Sequence, residues 1–307
     1  MSTRKRIWAA LVAAMLTTFT VVVVNVIPAQ ADPPLTNCLT QLVTCGYPTL
    51  QSAGADDLGS YTPVSDEEYD TTADNQVIED IELTGCIIVH HDNVTISNVI
   101  IHAEGCFYGI EFLTGTSSSL VVHTDVDCTN GLNTGISFEG DDGAADAVWV
   151  HGCENAITLT NDVTVTDSVL MGYEGNTVES HGDLIQFFGP ISDIVIDGNL
   201  LLGTNPMTSA IGYDQDTGAT NVDWINNFAM AGAFTFYCPW DNVSDMTISG
   251  NRLWPMAEED ERSGSGWLAD AHAPSFGYTS SCDTSGITWS GNILDTGATV
   301  NSDGSVS

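Results

Sequence analysis

The chain has 307 residues, 43% of them hydrophobic, and sets five Lys and Arg against 41 Asp and Glu for a formal net charge of −36 at pH 7. So acidic a surface repels nucleic acid and anionic membranes, which excludes both as partners. It suits a saline medium or an association with divalent cations, while length alone leaves one or two domains open.

The chain opens on Arg4, Lys5 and Arg6, followed by a mostly apolar stretch over 7–27 and then Ala29-Gln30-Ala31. A basic start, an apolar middle and a small-residue cleavage site predict a secretory signal peptide over 1–31. Thr17, Thr18, Thr20 and Asn25 weaken the stretch as a retained membrane span. Beyond it, Arg252 and Arg262 are the sole Lys or Arg residues, and all eight cysteines follow. An even cysteine count in an exported chain reads as disulfides, and no C-x2-C pair suggests zinc.

From Asn93 onward one motif recurs. "NVTISNVII" begins at Asn93, "DVTVTDSVL" at Asp162, "DIVIDGNLL" at Asp193, "NVDWINNFA" at Asn221, "DMTISGNRL" at Asp245 and "GITWSGNIL" at Gly286. Each is a polar turn residue, an alternating β-rich run, a polar bend and further apolar residues. Asn199, Asn227, Asn251 and Asn292 fall at the bend, where a side-chain amide is able to bond the next coil's backbone and build a ladder. A second short strand lies between the units: "GIEF" at Gly109, "GISF" at Gly135, "AITL" at Ala156, "LIQF" at Leu184 and "AIGY" at Ala210. Two strands per 20–30 residues predict an all-β, single-stranded, right-handed parallel β-helix of about nine coils. The expected layout is a cap over 32–75, the β-helix over 76–300 and a flexible tail over 301–307, in a monomer. Alternation points Ile185 and Phe187 inward and Gln186 outward, in one exposed column with Glu111, Ser137, Thr158 and Gly212. Spacing alone leaves cysteine connectivity open. Stacked coils favour Cys86–Cys106 and Cys128–Cys153, with Cys38–Cys45 and Cys238–Cys282 completing the set.

"GCIIVHHDNVTISNVII", "SHGDLIQFFGPISDIVIDGNLLLG" and "ITWSGNILDTG" resemble the secreted bacterial right-handed parallel β-helix repeat proteins of the pectate-lyase-like superfamily. The likeness runs over about residues 35–300. It implies an extracellular polysaccharide as partner and a groove along one sheet, with lyase favoured over hydrolase. The alternative is a non-catalytic extracellular module that binds carbohydrate or calcium. Leu184 stands where the family's H-x-D-G-I-Q segment has Gly. A lyase also needs a basic residue to abstract a proton, and Arg252 and Arg262 alone are of that type.

The candidate chemistry centres on Asp183. His181 suits general-base work near neutral pH, and Asp183 with Asp214 or Glu111 makes a hydrolytic carboxylate pair. Asp183, Asp214 and Asp216, with Glu139, Asp141 and Asp142 nearby, form an oxygen-rich strip suited to Ca2+. Arg252 completes the catalytic candidates. Gln186, Glu111, Tyr213, Tyr237 and Trp240 are the expected substrate contacts, the aromatic ones by stacking on sugar rings. Against this stand plainer readings: a corner aspartate holding turn amides, a surface histidine and an arginine in a structural ion pair.

Overall fold

A computed structural model describes residues 38–56, 60–129, 134–172, 182–203, 208–213, 218–230, 234–239, 241–254, 277–280 and 282–307. The motif's first residue does what its chemistry suggests. Asn93, Asp162, Asp193, Asn221 and Asp245 have φ of 58°, 52°, 59°, 55° and 57°. That left-handed region is one Asn and Asp tolerate better than other side chains do. Gly286 takes the same corner at φ 98°. The alternating run that follows each corner then forms a strand on top of the previous coil's strand.

All pairings between the named strands are parallel, and they build a β-helix with three ladders. One runs through Tyr69, Ile87, Ile110, Ile136, Ile157, Ile185, Ile211, Phe236 and Thr279, each paired with the next. A second runs through Ile78, Ile96, Val121, Ala145, Val165, Ile196, Trp224, Ile248 and Trp289. The third runs through Leu83, Ile101, Val126, Val150, Leu170, Leu201, Ala229, Leu253 and Leu294. Each coil therefore carries three strands where two were expected. The extra strand is the apolar stretch after the bend, such as Leu200–Leu202 and Phe228–Met230. Inward side chains of all three ladders join in one core cluster, with the Phe112 and Phe138 rings stacked at 4.8 Å.

The bend asparagines form the expected ladder, entirely buried. The Asn199 backbone N–H donates to Asn227 Oδ1 at 3.0 Å, Asn227 N–H to Asn251 Oδ1 at 2.9 Å and Asn251 N–H to Asn292 Oδ1 at 3.0 Å. Each Nδ2 also donates to a carbonyl of an earlier coil, Asn227 to Ile196 and Asn251 to Trp224. The four disulfides pair as expected: Cys38–Cys45, Cys86–Cys106, Cys128–Cys153 and Cys238–Cys282. Four disulfides fit an oxidising, extracellular setting. Among the described residues no helix is long and apolar enough to cross a membrane.

Within the expected 32–75 cap, Thr62–Asp70 pairs with the first-coil strand Ile81–Val89, while residues 38–56 run along the outer side of the third ladder. Cys38, Leu39, Leu42, Tyr47, Leu50 and Ala53 pack there on Val169, Leu200, Leu202, Phe228, Met230 and Trp254. The reason is apolar surface: that face of the ladder carries large hydrophobic residues, which need cover. At one end of this strap the Cys38 N–H donates to both carboxylate oxygens of Asp295 at 3.1 Å. At the other the Asp56 N–H donates to Asn98 Oδ1 at 2.8 Å. The 301–307 segment is not a free tail. Val300 bridges Val306, and Thr299 and Ser307 exchange backbone hydrogen bonds.

Arg252, on the third ladder, shares the strap's anchor. Its Nη1 donates to Asp295 Oδ1 at 3.0 Å, so Asp295 joins strap, third ladder and last coil. Asp295→Ala should lower unfolding free energy by about 2 kcal/mol, since hydrogen bonds to a charged group are worth about 1.5–3 kcal/mol. Urea unfolding checks this, and an unchanged midpoint would mean that the strap is held by its apolar contacts alone.

Candidate active-site cleft

The strand Tyr108–Phe112 and its neighbour Thr134–Phe138 position the carboxyls that matter. Ile110 faces Ile136 and Glu111 faces Ser137, so Glu111 points away from the core. Glu139, two residues beyond Ser137, points the same way and donates its backbone N–H to the Phe112 carbonyl at 3.0 Å. A ladder step of about 4.8 Å and a two-residue step of about 6.6 Å set the two backbones about 8 Å apart. The corner that starts these strands is tight. A Cβ on Gly135 would lie 2.3 Å from Val150 Cγ1, which is why a glycine precedes the isoleucine in "GISF".

Beside this pair lies a cleft of about 590 Å³, lined by Tyr108, Ser137, Glu139, Asp141, Thr158 and Phe188 among others. Phe188 is 45% exposed. Thr158 donates to Ser137 Oγ at 3.0 Å, and Thr114 to Glu139 Oε2 at 3.3 Å. Burial pushes the Glu111 carboxyl above the ordinary range, the Glu139 and Glu68 charges push it further, and His90 pulls it back. Tyr108 is likewise raised, by burial first and then by the charges of Glu139 and Glu111, against a hydrogen bond with Ser137. Glu139 thus lines the cleft, and the raised Glu111 carboxyl stands a diagonal ladder step from it, a pattern of acid–base sites.

The centre expected around Asp183 is built differently. Asp183 is 4% exposed; its N–H donates to Asn155 Oδ1 at 2.8 Å and its Oδ1 accepts the Ser209 hydroxyl at 2.5 Å. The Gly212 backbone lies against it, where an added Cβ would come within 2.6 Å of its carboxylate. These bonds to the coils on either side are what a corner residue makes. Gln186 pairs in register with Thr158 and Gly212 as expected, but it is 8% exposed rather than displayed. Ser137 and Thr158 in the same column are likewise buried, at 3% and 2%. Tyr237 continues the column next to Gly212 and is half-buried. Arg252 lies on the third ladder in its ion pair, and the structure does not bring it to Asp183. His181, Asp214, Asp216 and Trp240 fall outside the described residues, as does the side chain of Tyr213, whose backbone pairs with Phe187.

Of the calcium set Asp183, Asp214 and Asp216, only Asp183 lies among the described residues. Ca2+ wants six to eight oxygens around it, whereas the Asp183 carboxylate is buried against Gly212 and Ser209. No group of three or more His, Cys, Asp or Glu among the described residues is arranged to hold a metal ion. Glu111 was legible as a candidate, but its partnership with Glu139 was not singled out. The signal was the 26-residue offset from Ile110 to Ile136, which carries Glu139 to the diagonal of Glu111. Phe188, the second aromatic of "LIQFFGP", reads in the sequence as buried strand like Phe187, but alternation turns it outward and it is exposed.

No protein-family profile matches the chain, and no curated protein matches it. Two solved structures are similar. One is the Dettilon tailspike protein (gp208), 13% identical with a TM-score of 0.42 over 76% of this chain and 55% of that one. The other is the Agl-KA catalytic domain, 13% identical with a TM-score of 0.35 over 78% of this chain and 62% of that one. The chain thus spans under two thirds of the length of either.

The acids also crowd elsewhere. Asp162 is raised by burial and then by Asp193, Asp141 and Asp142, and Asp167 by burial and then by Asp146 and Asp197. A carboxyl with a raised folded-state pKa binds protons more readily folded than unfolded, so acidification through that window favours the fold. The melting temperature should therefore rise as pH falls from 7 toward about 5. Asp127, whose position is a balance of burial raising it against stronger pulls from Thr129, His151 and His102, is lowered. It acts oppositely, but only below the ordinary carboxylate range. A thermal melt series checks this, and a steady fall in melting temperature below pH 7 would contradict it.

Proposed function

We propose that the chain is a secreted carbohydrate-active β-helix that hydrolyses a glycosidic bond in the Glu111–Glu139 cleft. The observation that carries this reading is the pair itself, one carboxyl pushed upward and the other a diagonal ladder step away. Glu111 would donate its proton to the leaving glycosidic oxygen as that C–O bond breaks. Glu139 would take a proton from the water whose oxygen bonds the anomeric carbon. An inverting hydrolase holds its carboxyls about 6.5–9.5 Å apart to admit that water, and backbones about 8 Å apart put such a spacing within reach of the two side chains. Phe188 and Tyr108 offer aromatic faces for sugar rings.

The sequence favoured a lyase. That reading loses support because Arg252, one of its two possible bases, is committed to Asp295 on another ladder. Secretion is supported by the basic, apolar, A-x-A start and by the four disulfides. Incubation with a panel of polysaccharides, with and without calcium, tests the proposal. New reducing ends without an unsaturated, ultraviolet-absorbing product are expected, undiminished by chelation. An unsaturated product would return the assignment to a lyase, and binding with neither product to a non-catalytic module.

A further inference from the structure

We infer that the cleft takes a cationic glycan, one built from amino sugars, rather than a neutral or uronic-acid polymer. This rests on the Glu111–Glu139 reading and adds the substrate class to it. The first observation is the charge census of the whole chain. Arg252 and Arg262 are the sole Lys or Arg beyond residue 6, and Arg252 is 19% exposed in its pair with Asp295. None of the described residues lining the cleft is basic. A polyuronate carries a carboxylate on every sugar and would meet Glu139 and Asp141 with no basic residue among the described lining to offset the repulsion. The second observation is the make-up of the walls. Tyr108 and Phe188 line the cleft, and Phe107, 66% exposed, packs edge-on against the Tyr108 ring at 4.8 Å. Ammonium groups are attracted both to carboxylates and to the faces of aromatic rings, whereas a hydroxyl hydrogen-bonds a carboxylate but brings no charge to it or to the ring faces. A cleft walled by acids, with low-dielectric rings beside them, concentrates the negative field where a sugar amine would lie.

The experiment must separate the cleft from the general attraction of so acidic a chain for any cation. Calorimetric titration of the full chain with hexamers of glucosamine, N-acetylglucosamine and galacturonic acid does so. The wild type should bind the glucosamine hexamer at least tenfold more tightly than the acetylated one and give no heat with the galacturonate. The double variant E111Q/E139Q should lose at least tenfold of that affinity. The control E79Q/D223N removes at least as many charges from the second ladder and should keep it. Equal losses in both double variants, or a preference for either of the other hexamers, would overturn the inference. If the neutral or acidic hexamer is cleaved in a Glu139-dependent way, the cleft reading stands and the substrate class falls. If the glucosamine hexamer is bound by the cleft yet never cleaved, the ligand class stands and hydrolysis falls.

Discussion

Asn227→Ala should lower the unfolding free energy by about 3–6 kcal/mol, the largest single effect expected in this molecule. The side chain is wholly buried at the bend between the second and third ladders. Its Oδ1 accepts the backbone N–H and the Nδ2 of Asn199, and its Nδ2 donates to the Ile196 carbonyl and to Asn251 Oδ1. Truncation leaves the Asn199 N–H and the Ile196 carbonyl without these partners in an apolar interior, each costing about 1–3 kcal/mol, and adds a cavity. Against a typical net stability of about 5–15 kcal/mol, that is a large fraction. Asn227→Asp should do no better: it keeps the acceptor but turns the donor into a second acceptor facing two oxygens. Thr220→Ala, exposed on the strand that leads to that bend, should stay within about 0.5 kcal/mol. Urea midpoints for the three variants decide the matter, and a midpoint for Asn227→Ala close to that of Thr220→Ala would show that the ladder is not a structural element.

The second large effect is on rate. Glu139→Gln and Glu111→Gln should each reduce turnover about 10²- to 10⁴-fold, the usual worth of positioned acid–base catalysis. The amide keeps the shape of each side chain and removes its proton chemistry. Both residues are half-buried rather than buried, so the melting temperature should hold or rise as repulsion within the pair is relieved. Glu111→Gln should also remove the alkaline limb of the pH profile, because that limb reports loss of the proton that burial and Glu139 help Glu111 to keep. A profile unchanged in shape would exclude Glu111 as the acid.

Most of the fold was legible because two of its three ladders obey period-two alternation. Ile110, Ile136, Ile157, Ile185 and Ile211 stack in the register their spacing implied. The bend asparagines could be read because a buried amide is one of few groups able to satisfy two coils at once. The third ladder hid for a physical reason. Leu200, Leu201 and Leu202 are buried on both faces, inward by the core and outward by the strap, so no alternation marks them. The strap was equally hidden, since its position depends on an apolar surface that exists only after the coils have stacked.

The candidate site was less legible than the fold. Asp183 stood out as a polar residue beside a hydrophobic strand, but polarity at a solenoid corner is also what the turn backbone demands. Glu111 and Glu139 look ordinary in a chain with 41 acids. Their significance comes from register, which places two carboxyls from adjacent coils on one face, and from the partial burial that separates their environments. Gln186 shows the converse: alternation gave its direction correctly, yet direction away from the core is not exposure, and Gln186 is buried like Ser137 and Thr158 in its column.

Turnover per folded molecule of Glu139→Gln and Asp183→Asn, measured side by side on one cleaved glycan, tests the assignment of the cleft most directly. Glu139→Gln should lose about 100-fold or more in rate with an unchanged melting temperature. Asp183→Asn should keep its rate within about twofold while losing about 1 kcal/mol of stability, as the charge-assisted bond from Ser209 becomes a neutral one. A fully active Glu139→Gln beside a folded but inert Asp183→Asn would contradict the account and move the chemistry to Asp183.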